Sequence, residues 1–164
     1  MPSPAGVKAF SVPLLAAAPV IAIDQATKVW AAGSLILHEA KEVIPGFFNI
    51  VHARNTGVAF SLFANFDERW MRPILMAVTV LAMGALFYAS RLLSGKRPGL
   101  AGLGLVVGGA AGNLIDRARL GFVIDFIDIH LGRFHWPAFN IADAGITVGI
   151  FLIAMDMFLE NKKS

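Results

Sequence analysis

Two aspartates carry the most distinctive chemistry in this chain. Asp125 lies in Gly-Phe-Val-Ile-Asp-Phe-Ile (121–127) and Asp143 in Phe-Asn-Ile-Ala-Asp-Ala-Gly-Ile (139–146). Both are embedded in apolar sequence. A carboxylate at membrane depth costs roughly 2.5–3.5 kcal/mol on insertion scales, so an acid retained there is a functional candidate. Two such acids held together share one proton and can perform acid–base chemistry on a peptide bond. Spacing alone does not pair them, and each has a plainer reading. Asn140 and Asp143 are i, i+3, so Asn140 can cap a helix whose dipole favours Asp143 in its first turn. Asp125 can be a turn residue in a loop between β-formers.

Other polar residues fall at helical spacing. Asp24 and Lys28 are i, i+4 with the acid first, the favourable order for a helix-end ion pair; contact with a polar substrate is the alternative. Gly109, Asn113 and Asp116 or Arg117 share a helix face. They suggest a hydrogen-bonded network that fixes the following loop, with Arg117 and Arg119 as the basic neighbours of Asp116. Gly104, Gly108 and Gly112 repeat every four residues, with Gly102 and Gly109 nearby, a signal for close helix packing. Other chemistries find little support. There is no cysteine, so thiolate metal sites and thiol nucleophiles are excluded. His38, His52, His130 and His135 lack the spacing of a metalloprotease, and no metal site is expected. No Gly-x-Ser-x-Gly turn or phosphate loop occurs.

The elements that must position these residues read as membrane spans. Of the 164 residues, 57% are hydrophobic and only 15% charged. The fold class expected is an all-α integral membrane protein, one domain over 1–164, with four transmembrane helices near 10–30, 73–92, 99–117 and 141–159. A small extracytoplasmic β-containing segment is expected at 38–66, around the turn-like Asn55-Thr56-Gly57. Lys8 followed by Ala16-Ala17-Ala18 resembles a cleaved signal peptide, but the apolar run continues to Ile23 and is read as the first span. The net charge of +3 does not imply nucleic-acid binding, because the basic residues lie at the ends of apolar runs. Lys8, the group Arg91, Lys96 and Arg97, and the pair Lys162 and Lys163 share one side, which the positive-inside rule makes cytoplasmic. Both termini are then cytoplasmic, and Asp24, Asn55, Asp116, Asp125 and Asp143 lie near the outer face. Val58–Phe63 is expected on the membrane surface or over the helices, and Trp30, Trp70 and Trp136 in an interfacial belt. Residues alone leave three readings open: a hydrolase, a transporter with an acid-lined path, and a scaffold whose acids merely cap helices.

Five blocks resemble the lipoprotein signal peptidases, the type II signal peptidases of bacteria. They are Asp24-Gln25-Ala26-Thr27-Lys28, Asn55 to Ser61, Gly108 to Arg117, Val123-Ile124-Asp125-Phe126, and Phe139-Asn140-Ile141-Ala142-Asp143. Their order and spacing match over nearly the whole chain, whereas 128–136 aligns with no family pattern. The resemblance implies an intramembrane aspartyl endopeptidase in the bacterial inner membrane. Such an enzyme removes signal peptides from diacylglyceryl-modified prolipoproteins, just before the lipid-bearing cysteine. It implies Asp125 and Asp143 as the catalytic pair. Asp24, Lys28, Asn55, Gly109, Asn113, Asp116, Arg117 and Asn140 are then expected to bind substrate or support the pair. No metal or organic cofactor is implied. The expected partners are the lipid-modified prolipoprotein and membrane phospholipids, with the chain acting as a monomer. The 31–72 segment is expected to hold the peptide in extended form by strand addition.

Overall fold

The computed structural model describes residues 4–57, 68–89 and 97–161. Val58–Phe63, the remainder of the 38–66 segment beyond Gly57, and Arg91, Lys96, Lys162 and Lys163 lie outside them. Four helices carry the chain: α1 (Pro4–Ser34), α2 (Glu68–Ala89), α3 (Arg97–Leu120) and α4 (Ile141–Asn161). Each contains an apolar stretch long enough to cross a bilayer: Ser11–Ser34, Arg69–Tyr88, Pro98–Leu120 and Ile141–Leu159. Large apolar side chains such as Leu15, Leu81, Tyr88 and Phe151 point outward from these spans. A helix that is apolar on its outer face belongs in lipid.

α3 is the central helix, packed against α1 on one side and α4 on the other. Its glycines explain how. A Cβ on Gly108 would stand 2.8 Å from both Cα and O of Ala17, and one on Gly104 2.7 Å from the Ala16 Cβ, so this stripe seats α1. A second stripe seats α4: a Cβ on Gly102 would stand 2.7 Å from the Gly149 carbonyl oxygen, and one on Gly109 would run into the Ala142 carbonyl. Between apolar helices in lipid there is little hydrophobic drive, so close backbone approach supplies the packing.

The connections at one end of the bundle build a four-stranded antiparallel sheet. Its strands, in spatial order, are β1 (Ala40–Ile44), β2 (Phe48–Asn55), β3 (Val123–Leu131) and β4 (Phe134–His135). β1 and β2 turn at Pro45-Gly46, where Phe47 N–H donates to Ile44 O at 3.1 Å and Gly46 has φ 71°. Proline followed by a positive-φ glycine is the signature of a type II turn. α3 stops at Gly121, whose φ of 87° ends the helix while its N–H donates to Arg117 O. The sheet extends beyond the β-containing segment expected at 38–66, because the second connection supplies half of it. Asp125 is therefore a strand residue and not a loop residue. Val123, Ile124, Phe126 and Ile127 around it are β-branched or aromatic, and a partner strand satisfies their backbone. β2 carries a bulge between Ile50 and Ala53, after which Ala53 pairs with Asp125.

Close packing makes a direct prediction. Gly108→Val should destabilise the bundle by about 1–3 kcal/mol, the usual cost of overpacking, since rigid α1 backbone blocks the new side chain. Gly84→Ala on α2 meets nothing within 4 Å and should be harmless. Thermal unfolding in detergent checks both; equal midpoints for the two variants would contradict the packing scheme.

Candidate active site

The site forms where the helix ends meet the sheet. α4 begins with a reciprocal cap. Asp143 N–H donates to Asn140 Oδ1 at 3.0 Å, and Asn140 N–H donates to Asp143 Oδ2 at 3.2 Å. This is a capping box with aspartate at the third position. The capping amide also has a second task. Its Nδ2 donates to Asp125 Oδ1 at 2.7 Å, with Asn113 Oδ1 at 3.2 Å and Ile124 O at 3.3 Å also in reach. One fully buried asparagine thus touches both aspartates, from β3 and from α4.

Two further amides complete the shell. Asn113 on α3 donates through Nδ2 to Asp143 Oδ1 at 2.8 Å. Asn55 at the end of β2 donates to Asp125 Oδ2 at 3.0 Å, and its own Oδ1 accepts from Gly57 N–H at 2.8 Å. Arg117 lies close enough for its charge to act on Asp143, Asp125 and Asp116. Its buried Nε has no hydrogen-bond partner among the described residues.

Beneath this shell lies a buried ion cluster. Lys28 Nζ contacts Asp24 Oδ2 at 2.9 Å, Asp116 Oδ2 at 3.0 Å and Asn113 Oδ1 at 2.9 Å. Lys28 is 1% exposed and Asp24 0% exposed, so the expected helix-end ion pair is a core feature. Asp24 Oδ1 also accepts from Ala142 N–H at 2.9 Å, tying α1 to the first turn of α4. Asp116 has the Arg117 charge near it, as expected, but its short contacts lie elsewhere. Its partners are Lys28, Gln25 Nε2 at 2.9 Å and Ile124 N–H at 3.2 Å. The last bond does fix the loop after α3. Gly109 contributes by having no side chain: a Cβ would enter the Ala142 carbonyl and Ile146.

The network therefore joins Asp24, Lys28, Asn55, Asn113, Asp116 and Asn140 to Asp125 and Asp143, with Arg117 and Gly109 against it. Gln25 was missed as a site member, although it lies beside Asp24 and links it to Asp116. A second polar group sits further along β3. Asp128 accepts from Asn49 Nδ2 at 2.9 Å and lies 2.9 Å from His135 Nδ1, while His135 stacks on His130 at 4.6 Å. Burial pushes Asp128 up, but these hydrogen bonds and the nearby histidines hold it below the usual carboxylate range. Only strand pairing brings these residues together. Among the described residues, no group of three or more His, Cys, Asp or Glu is arranged to hold a metal ion.

The electrostatics single out Asp125, which stands on β3 outside the spans. Burial pushes its carboxyl up to about 6; the Asn55 bond opposes this, the Asp143 charge adds to it, and the Asn140 bond and Lys28 charge oppose it. A raised carboxyl pKa favours the folded state at low pH. That contribution is present below the ordinary value near 4 and is lost as pH rises through about 6.

Fold and site define a polytopic membrane protein with an acid–amide cluster sealed between helix ends and a sheet. The family described as Signal peptidase (SPase) II matches residues 16–159. The lipoprotein signal peptidase of Geobacter metallireducens is 46% identical over 144 residues, covering 87% of this chain and 88% of the relative. That of Oleidesulfovibrio alaskensis is 45% identical, covering 91% and 96%. A bacterial membrane enzyme solved by the in meso method at 1.9 Å superposes with a TM-score of 0.78 at 31% identity, covering 90% of this chain and 93% of that one. The chain belongs to the signal peptidase II family, and is a bacterial multi-pass membrane peptidase.

Two outcomes test the site. Lys28→Met strands two buried carboxylates and should cost about 3–5 kcal/mol of stability, read by thermal unfolding. Followed by its infrared carboxyl band, Asp125 should titrate near 6. Asp143→Asn should move that midpoint down and Asn55→Leu should move it up; shifts of the opposite sign would refute the causes assigned.

Proposed function

We propose that this chain is a lipoprotein signal peptidase that cuts diacylglyceryl-modified prolipoproteins just before the lipid-bearing cysteine, with Asp125 and Asp143 as its catalytic pair. The observation that carries this reading is Asn140, whose amide bonds one aspartate while its backbone bonds the other. Like charges held this close cannot both ionise cheaply, so the pair keeps one proton, as the two carboxyls of the aspartic proteases do.

The chemistry follows from that shared proton. The ionised carboxylate removes a proton from water as the water oxygen attacks the scissile carbonyl carbon. The protonated carboxyl gives its proton to the carbonyl oxygen, and a neutral gem-diol results. On collapse, the carbon–nitrogen bond breaks, a proton passes to the leaving amine, and the pair regains its single proton. The two titrations are coupled, so the charge on one acid shifts the other. Asn113, Asn140 and Asn55 orient the carboxylates. The Arg117 charge acts on both acids. β1 is the edge of the sheet and offers backbone groups for an extended peptide.

In this reading the sheet end of the bundle faces outward, both termini are cytoplasmic, and the enzyme works as a monomer among phospholipids. Water then reaches the acids from outside while the substrate's acyl chains stay in the bilayer. The test compares wild type, Asp125→Asn and Asp143→Asn on a diacylglyceryl prolipoprotein and its unlipidated form, by gel shift. The wild type should cleave only the lipidated form. Each folded variant should lose at least about 100-fold in rate, the scale of general acid–base catalysis. Cleavage surviving either substitution would remove that aspartate from the mechanism.

A further inference from the structure

A groove separate from the acid cluster opens between the outer end of α1 and the first hairpin. Its volume is about 330 Å³, within the range of small-molecule sites. Trp30 and Leu35 form its helical wall, Val43 and Ile50 its sheet wall, with Ser34, Lys41 and Glu42 as the polar groups at its edge.

The sheet register relates this groove to the acids. Lys41 pairs with Ile50, and Ile50 pairs with Ile127. Side chains of directly paired residues lie on the same face. Ile127 is two residues from Asp125 on a strand without a bulge of its own, so the two also share a face, about 7 Å apart. The groove floor at Ile50 is one strand further on, about 5 Å away. The groove floor therefore lies on the same face of the sheet as Asp125, roughly 9 Å from it along and across the strands.

The surroundings select the kind of substituent. β2 is hydrogen-bonded to β1 on one side and β3 on the other at this level, so the floor has no free amide to hold a peptide backbone. The walls are mainly apolar and the groove lies where the α1 span ends, at Ser34. Trp30, half exposed, marks the level of the interface. Charged groups at the edge suit an ester or glycerol oxygen next to an apolar chain.

We propose that this groove seats one acyl chain of the glyceride-bearing residue while the adjacent peptide bond is cut. This rests on the lipoprotein reading above. A chain leaving the bilayer for the groove gains little from burial, because it exchanges one apolar medium for another. What it gains is placement: a fixed chain fixes the thioether beside it and so aligns the scissile carbonyl. The groove is thus a positioning and specificity site, not a source of affinity alone.

Acyl length provides the test. Prolipoprotein peptides bearing S-dioctanoylglyceryl and S-dipalmitoylglyceryl groups would be cleaved in detergent by wild type, Val43→Phe and Ile50→Phe, each checked by thermal unfolding. Filling the groove should lower kcat/KM on the long-chain peptide by at least about tenfold and leave the short-chain peptide within about twofold. An equal loss on both peptides, or no loss, overturns the proposal. A binding measurement is independent of turnover. In a Trp70→Phe/Trp136→Phe background, a peptide with brominated acyl chains should quench Trp30 saturably, and Ile50→Phe should abolish the saturable part. Quenching that rises without saturation, as for partition into micelles, overturns the groove even if cleavage is normal. Saturable quenching with no cleavage by wild type would instead refute the lipoprotein reading and leave the acyl site standing.

Discussion

The structure depends on one buried cation. Lys28 sits almost wholly out of solvent, among two carboxylates and an amide oxygen from α1 and α3. An ammonium in an apolar interior is tolerable only when its donors are all used and its charge is met. Here Lys28 can direct its three donors to Asp24, Asp116 and Asn113. Each of those groups has a second bond leading elsewhere: Asp24 to the first turn of α4, Asp116 to the backbone of β3, and Asn113 to Asp143. Removing the cation would release the start of α4, the start of β3 and one candidate catalytic acid together. Because Asn113 Oδ1 accepts from Lys28, its Nδ2 is turned toward Asp143.

The glycines of α3 are the steric condition for that cluster. Gly112 leaves room for Asp24: a Cβ there would stand 2.6 Å from Asp24 Oδ2. Gly109 does the same for the Ala142 carbonyl in the first turn of α4. A helix with ordinary side chains would hold α1 too far from α3 for Lys28 to reach Asp116 and Asn113. The glycine stripes therefore belong to both the packing and the site. α2 takes less part, its apolar face being turned largely outward.

The sheet solves a different problem. Backbone away from regular helices cannot stand in hydrocarbon with unpaired amides. Pairing two connections as antiparallel strands satisfies those amides and makes a rigid platform over the helix ends. β3 then holds Asp125 at a set height and orientation, with Asn55 from β2 bonded to it. The bulge in β2 sets which residues pair with Asp125. The same parity carries the apolar face past Ile127 to the groove at Ile50.

Much of this was legible in the residues. The four spans are visible in composition because a bilayer-crossing helix needs about 20 apolar residues and little else. The glycine period announced close helix contacts, and Asn140 three residues before Asp143 announced a helix start, since both are local patterns of a single helix. The acids themselves stood out because charge in apolar sequence is costly. The partnerships were not legible. Nothing local in Asp116 points to Lys28 over Arg117, and nothing in Asp125 distinguishes a strand residue from a turn residue. Nor does either motif reveal that one asparagine serves both acids. Those are long-range choices, made when α1, α3, α4 and two hairpins close around the acids, amides and lysine and bury them together. Sequence determined which groups were available and which would sit in the membrane; tertiary structure decided which of them meet, because an unpaired buried carboxylate, ammonium or amide is costly and nearly all of them are held within about 3 Å of a partner.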